Sequence, residues 1–85
     1  MTADEIISIA VAALKRIAPD MDPTLVALDD DYRKVLEIDS FDALRFITEM
    51  SERCSVDIPE AAYSRVSTLR GLAEYIQSTL LNSQQ

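Results

Sequence analysis

Three stretches of this sequence repeat apolar residues at the 3.6-residue period of an α-helix, and each needs the others to bury its stripe. In the first, Thr2 and Glu5 carry the signature of a capping box. Ile6, Ala10, Leu14 and Ile17 follow at helical spacing, Ile7, Val11 and Ala18 widen the face, and Lys15 and Arg16 complement the helix dipole in the last turns. Pro19, Asp20 and Pro23 end that element. The second stretch runs from about Ser40 to Cys54 on Phe41, Leu44, Ile47, Met50 and Cys54, with Phe46 broadening the stripe. Its outward positions are Asp42, Arg45, Glu49, Glu52 and Arg53. The third is capped by Ser67 or Thr68 and aligns Leu69, Leu72, Ala73, Ile76 and Leu80.

Between these stretches, Val56 to Ile58 reads as extended, and Pro59 opens a brief helix reaching about Arg65. Residues 19–39 form a long connection with apolar pins at Leu25, Val26 and Leu28 and a short turn through Tyr32, Val35 and Leu36 that packs back on the bundle. Gly71, the single glycine, lies inside the last helix at a cost of about 1 kcal/mol relative to alanine. Close helix packing is the expected reason. The pattern predicts one all-α domain over residues 1–85, a four-helix bundle of three long helices and one short, with residues 82–85 as a frayed tail.

A net charge of −7 sets nucleic acid and anionic membrane aside as partners, since both need clustered Lys and Arg. A basic patch on a protein partner is the better match. Cys54 has no second cysteine to pair with and falls on an apolar stripe, so it reads as core. No signal peptide or membrane-spanning run is recognisable, which makes the cytoplasm the expected location, without membrane insertion. Nothing in the pattern demands more than a monomer.

The most informative residue is Ser40, where a polar loop gives way to the second apolar stripe within Glu37-Ile38-Asp39-Ser40-Phe41-Asp42. A serine there is exposed, can cap the helix, and is ringed by carboxylates. The chain has no histidine to activate it, and Lys15 and Lys34 are its only lysines. No oxyanion-hole glycine cluster precedes it either, which argues against an independent hydrolase. Such a serine is expected to be modified by another protein. No enzymatic activity of the chain itself is expected.

From Leu36 to Ile76 the sequence resembles the acyl carrier proteins. The matching residues are Asp39-Ser40-Phe41-Asp42, Ile58-Pro59-Glu60, and Ser67-Thr68 leading into Ala73-Glu74-Tyr75-Ile76. The resemblance implies that Ser40 carries 4′-phosphopantetheine, transferred from coenzyme A by a phosphopantetheinyl transferase that uses Mg²⁺ only during the transfer. Asp39 and Asp42 would flank the attachment point, and acyl groups would ride on the terminal thiol as thioesters. The helix start at Ser40 suits a phosphodiester, because its N–H groups and partial positive charge favour an anion. A tether there raises the local concentration of cargo at a docked enzyme. The expected partners are the transferase and acyl-, aminoacyl- or ketosynthase-type enzymes with basic docking patches, in fatty-acid, polyketide or peptide-type biosynthesis.

The departures from the family pattern are informative. Phe41 stands where the family has leucine, Arg45 and Arg53 interrupt the acidic face of the second helix, and Thr48 replaces an apolar contact. Glu37 occupies a position where small residues are usual. Phe41, Arg45, Thr48, Glu49 and Glu52 form the expected docking face, and their mixed charge points to a specialised, freestanding carrier. The resemblance also marks Leu44, Ile47, Met50, Ile58, Tyr63, Val66, Leu72 and Ile76 as a candidate acyl pocket. Ordinary core is the plainer reading of those residues, and the bulk of Tyr63 opposes deep sequestration of a long chain.

Asp29-Asp30-Asp31 lacks the spaced oxygen ligands and glycine of a Ca²⁺ loop, so a solvated acidic loop is expected and no metal site. The alternative function is a carrier-like interaction module that is never phosphopantetheinylated.

Overall fold

The computed structural model describes residues 1–82. In chain order it contains α1 (Ala3–Ile17), a 3₁₀ turn at Pro23–Leu25, the single-turn α2 (Tyr32–Val35), α3 (Ser40–Cys54), a 3₁₀ helix at Glu60–Val66, and α4 (Leu69–Asn82). The expected bundle of three long helices and one short is present, the short one being the 3₁₀ helix of 7 residues. Asn82 closes α4, and the rest of the expected frayed tail lies outside the described residues.

Local signals set the helix ends. Thr2 Oγ1 accepts the Glu5 N–H and Glu5 Oε1 accepts the Thr2 N–H, completing the capping box of α1. Lys15 Nζ donates to the carbonyls of Pro19 and Met21, closing the far end. Thr68, one of the expected pair, caps α4 by accepting the Gly71 N–H at 3.0 Å. Ser55, in the left-handed region at φ 55°, turns the chain out of α3.

α1 packs against both α3 and α4, and the core lies between them. It draws on Ile6, Ala10 and Leu14 of α1, Phe46, Ile47 and Met50 of α3, and Leu69, Leu72 and Ile76 of α4. Cys54 is buried with them, and burial pushes its thiol above its ordinary value. The stripe of α3 is buried at Ile47, Met50 and Cys54 and broadened by Phe46 as expected, while Leu44 is 48% exposed and Phe41, expected also on the docking face, is 79% exposed. Phe46 packs on Tyr32, whose ring meets it edge-on at 5.0 Å and gives that side of the helix an apolar neighbour.

Tyr32 also donates from its hydroxyl to the Val66 carbonyl at 2.6 Å, tying the long connection to the end of the 3₁₀ helix. The short turn through Tyr32 therefore packs back as expected. The pins differ: Val26 is buried, but Leu25 and Leu28 are exposed, and Pro23 is buried in their place. Leu28 acts through its backbone, its carbonyl accepting the Arg70 N–H at 3.0 Å.

The acidic run is not simply solvated. Asp29 binds the Arg70 guanidinium through both oxygens, at 2.7 and 3.3 Å. Asp30 accepts the Ala27 N–H, and Asp31 caps α2 by accepting the Arg33 N–H. Asp29 thus fastens a side chain of α4, and Asp30 and Asp31 fasten backbone of the connection itself.

Gly71 is explained by contact. A Cβ at this position would stand 2.2 Å from the Arg65 carbonyl oxygen, so α4 can lie this close to the 3₁₀ helix only without a side chain there.

Candidate functional site

Ser40 is the first residue of α3 and is exposed. The cap is Asp39, not Ser40: its backbone is extended (φ −76°, ψ 173°) and its Oδ1 accepts the Asp42 N–H at 2.9 Å. Capping needs a residue still outside the helix, and Ser40 has already entered it. The expectation that Ser40 caps is thus corrected, with a chemical consequence. Its hydroxyl makes no hydrogen bond among the described residues, and its N–H and that of Phe41 find no protein acceptor. A free hydroxyl stands beside two free donors at the positive end of a helix.

The flanking residues are held in place. Asp42 pairs with Arg45 at 3.1 Å, one turn along α3. Glu37 adopts φ 54°, a left-handed conformation that β-carbon-bearing residues enter with strain, which gives a reason for a small residue at that position. Ile38, between Glu37 and Asp39, is buried and its N–H donates to the Arg33 carbonyl, so the approach to Ser40 is anchored from α2.

A cleft of about 400 Å³ opens beside Ser40. Leu44, Ile47 and Tyr63 of the candidate acyl pocket line it, joined by Arg33, Ser64 and Ser67. The other nominated residues do not reach it. Met50, Val66, Leu72 and Ile76 are fully buried and Ile58 nearly so, packed with Tyr32 and Phe46 into one closed core. The structure therefore divides the nominated pocket into a cleft wall and ordinary core. Arg33, Ser64 and Ser67 carried no periodic signal, since they are polar residues in or beside short helical turns rather than on the apolar stripe of a long helix.

On the outer side of α3, Phe41, Arg45, Thr48, Glu49 and Glu52 line a second groove of about 500 Å³. Leu44 and two residues of α1, Arg16 and Ile17, complete it. Arg16 meets Glu49 at 2.8 Å, and Arg53 approaches the same oxygen at 3.7 Å. Glu49 Oε2 is buried without a hydrogen-bond partner among the described residues. Sequence reasoning placed Arg16 at the α1 dipole only, because its partner is remote in the chain.

The structure is a small helical bundle that displays a serine at the start of a long helix, its hydroxyl without a hydrogen-bond partner among the described residues. The phosphopantetheine attachment site family matches residues 4–76, and the chain belongs to that family. It is a carrier protein of the acyl carrier class. A comparison with curated proteins found no match.

The residues present fit the group this family carries. Ser40 Oγ is free for the ester bond, and the Ser40 and Phe41 N–H groups can hold the phosphate. When attached, phosphopantetheine supplies a thiol on which acyl groups are held as thioesters.

Proposed function

We propose that this chain holds acyl, aminoacyl or peptidyl thioesters on a phosphopantetheine arm at Ser40 and presents them to partner enzymes of fatty-acid, polyketide or peptide-type biosynthesis. The observation that carries the reading is the unpartnered, exposed Ser40 hydroxyl beside an aspartate that caps the helix in its stead. In the loading step Ser40 Oγ forms a new P–O bond to the pantetheine-bearing phosphorus of coenzyme A. The diphosphate P–O bond breaks, adenosine 3′,5′-bisphosphate leaves, and the hydroxyl proton passes to the transferase, whose Mg²⁺ offsets the charge on the leaving group.

Partner enzymes dock on the outer groove of α3. Phe41 is a large apolar side chain standing in solvent at the edge of the attachment site, and Leu44 sits one turn further on. Arg45, Thr48, Glu49 and Glu52 supply a polar rim, extended by Arg16. The overall charge of −7 favours encounter with basic surfaces at long range, while the paired Glu49 leaves Glu52 as the more available acid at contact.

Intact-mass measurement after incubation with coenzyme A, Mg²⁺ and a broad-range phosphopantetheinyl transferase tests the assignment. One phosphopantetheine adduct on the wild type and none on Ser40→Ala is the expected result. An unmodified wild type with several transferases would instead favour an interaction module that never carries the arm.

A further inference from the structure

A third groove, of about 540 Å³, lies between α1 and the 3₁₀ turn at Pro23–Leu25, and it shares no lining residue with the cleft beside Ser40 or the outer groove of α3. Ile7, Val11 and Ala12 give it an apolar strip on α1, and Pro23 adds to that surface from the turn. Asp22 is spent locally, its Oδ1 accepting both the N–H and the hydroxyl of Thr24. Lys15 uses two of its three donors on the carbonyls of Pro19 and Met21 and keeps one. Asp4, Ile7, Ser8, Val11, Ala12 and Lys15 follow at spacings of three and four, so they share one face of α1. That face complements itself on reversal. Against an antiparallel copy of α1, Asp4 falls opposite Lys15, Ile7 opposite Ala12, and Ser8 opposite Val11. A two-fold axis repeats each of these pairs. Each larger apolar residue meets a small one, and the opposite charges meet at both ends. Neither Asp4 nor Lys15 has an ion-pair partner among the described residues.

We propose that this groove receives a second copy of the chain, in a two-fold dimer built by antiparallel packing of α1 on α1. The charges fix direction and register, because a parallel pair would set Asp4 against Asp4 and Lys15 against Lys15. One helix pair is a small contact beside the roughly 1,200–2,000 Å² of a standard stable interface, so the dimer is a weak, exchanging one. The net charge of −7 on each copy opposes it further at low ionic strength. Because the contact uses no residue that lines the Ser40 cleft or the α3 groove, both serines of the dimer stay open to partner enzymes. A dimer presents two attachment sites in one particle, which strengthens engagement of a partner that has two docking sites. The contact itself does not depend on the carrier reading of Ser40.

The test is sedimentation of the full chain at about 0.15 M salt, where repulsion beyond roughly 8 Å is screened. The weight-average mass should rise with concentration toward twice that of the monomer. In the ¹⁵N-labelled chain, backbone amide shifts should move with concentration at Ile7, Ser8, Val11, Ala12 and Thr24 and stay fixed along α3. Two charge-reversal variants then test the register. Asp4→Lys and Lys15→Glu should each be monomeric alone, since each sets like charges together at both ends. An equimolar mixture of the two should dimerise, because opposite charges then meet at both ends, and recovery on mixing also shows that both variants are folded. A wild-type mass that ignores concentration would overturn the dimer, as would concentration-dependent shifts on α3 in place of α1. A mixture no more associated than its components, or a single variant that dimerises as well as the wild type, would overturn the antiparallel α1 contact.

Discussion

Asp39 Oδ1 takes the Asp42 N–H at 2.9 Å, and Ser40, next to this cap, keeps a hydroxyl with no hydrogen-bond partner among the described residues. Two polar residues stand at the start of α3, and the structure divides the labour between them. Asp39 caps the helix, and the Ser40 hydroxyl takes no part in the cap.

That division predicts opposite mutant behaviour. Asp39→Ala should cost about 1 kcal/mol of stability, the usual loss of an N-cap, lowering the melting temperature by roughly 4–8 °C in a domain of this size. Ser40→Ala should change stability by less than about 0.5 kcal/mol, as expected at an exposed unbonded site, yet abolish loading. Thermal melts paired with intact-mass assays read both. A Ser40→Ala variant as unstable as Asp39→Ala would mean that the hydroxyl has a structural bond after all.

Phe41 is expected to act on partners and not on folding. Phe41→Ala should leave the unfolding midpoint in urea unchanged, because the side chain is 79% exposed. An exposed aromatic that anchors an interface contributes about 2 kcal/mol or more to binding, so KM for the carrier should rise at least about tenfold with a cognate loading enzyme. An unchanged KM would move the docking surface away from the start of α3.

Tyr32 should behave as a structural pin with two separable contributions. Tyr32→Phe keeps the ring against Phe46 but removes the hydrogen bond to the Val66 carbonyl. Its expected cost is about 1–3 kcal/mol, that of leaving a buried acceptor unpaired. Tyr32→Ala also loses the ring, and about 3–5 kcal/mol is expected by analogy with other aromatic truncations. Urea denaturation distinguishes them, and equal losses would show that only the ring matters.

Gly71→Ala runs against helix propensity. Alanine is favoured over glycine by about 1 kcal/mol inside a helix, yet a Cβ here would stand 2.2 Å from the Arg65 carbonyl. Overpacking of this kind costs about 1–3 kcal/mol, so the variant should unfold at lower urea. A stabilised variant would show that the 3₁₀ helix can retreat freely.

Stability should fall at both extremes of pH. Backbone hydrogen bonding to Thr2 holds the Glu5 carboxyl below its ordinary 4.5, and hydrogen bonds from Thr24 and Arg70 hold Asp22 and Asp29 below 3.8. A carboxyl depressed in the folded state contributes above its unfolded value and loses that contribution as pH falls through the folded one. Acid destabilisation should therefore begin below about pH 4.5 and be shallower in Asp29→Asn. Burial raises the Tyr32 phenol above 10.0 and the Cys54 thiol above 9.0. Such groups contribute fully below their unfolded values, and the contribution is lost as pH rises beyond them. Melting temperature should thus decline from about pH 9 upward, and Tyr32→Phe should flatten the limb above pH 10. A flat alkaline limb in the wild type would contradict the burial of both groups.

Much of the site was legible because it is local. A serine at a loop-to-helix junction, a capping box at Thr2 and Glu5, and apolar residues at helical spacing depend on neighbours within one or two turns. The degree of burial of Leu44 and Phe46 was not legible, since both are apolar and periodicity does not rank them. Phe46 is covered by the ring of Tyr32, 14 residues before it, a contact that only the folded chain makes.

The same reasoning separates what the chain's order of residues determined from what only folding decided. Helix number, helix ends and the position of Ser40 at the start of α3 follow from short-range hydrogen bonds and the 3.6-residue period, which any reader of the residues can apply. The groove that joins Arg16 to Glu49, the cleft that sets Arg33 beside Ser40, and the contact that forbids a side chain at Gly71 each join residues distant in sequence or placed by irregular backbone. Such juxtapositions depend on how whole elements pack, and packing is settled by volume and shape across the core rather than by any local pattern.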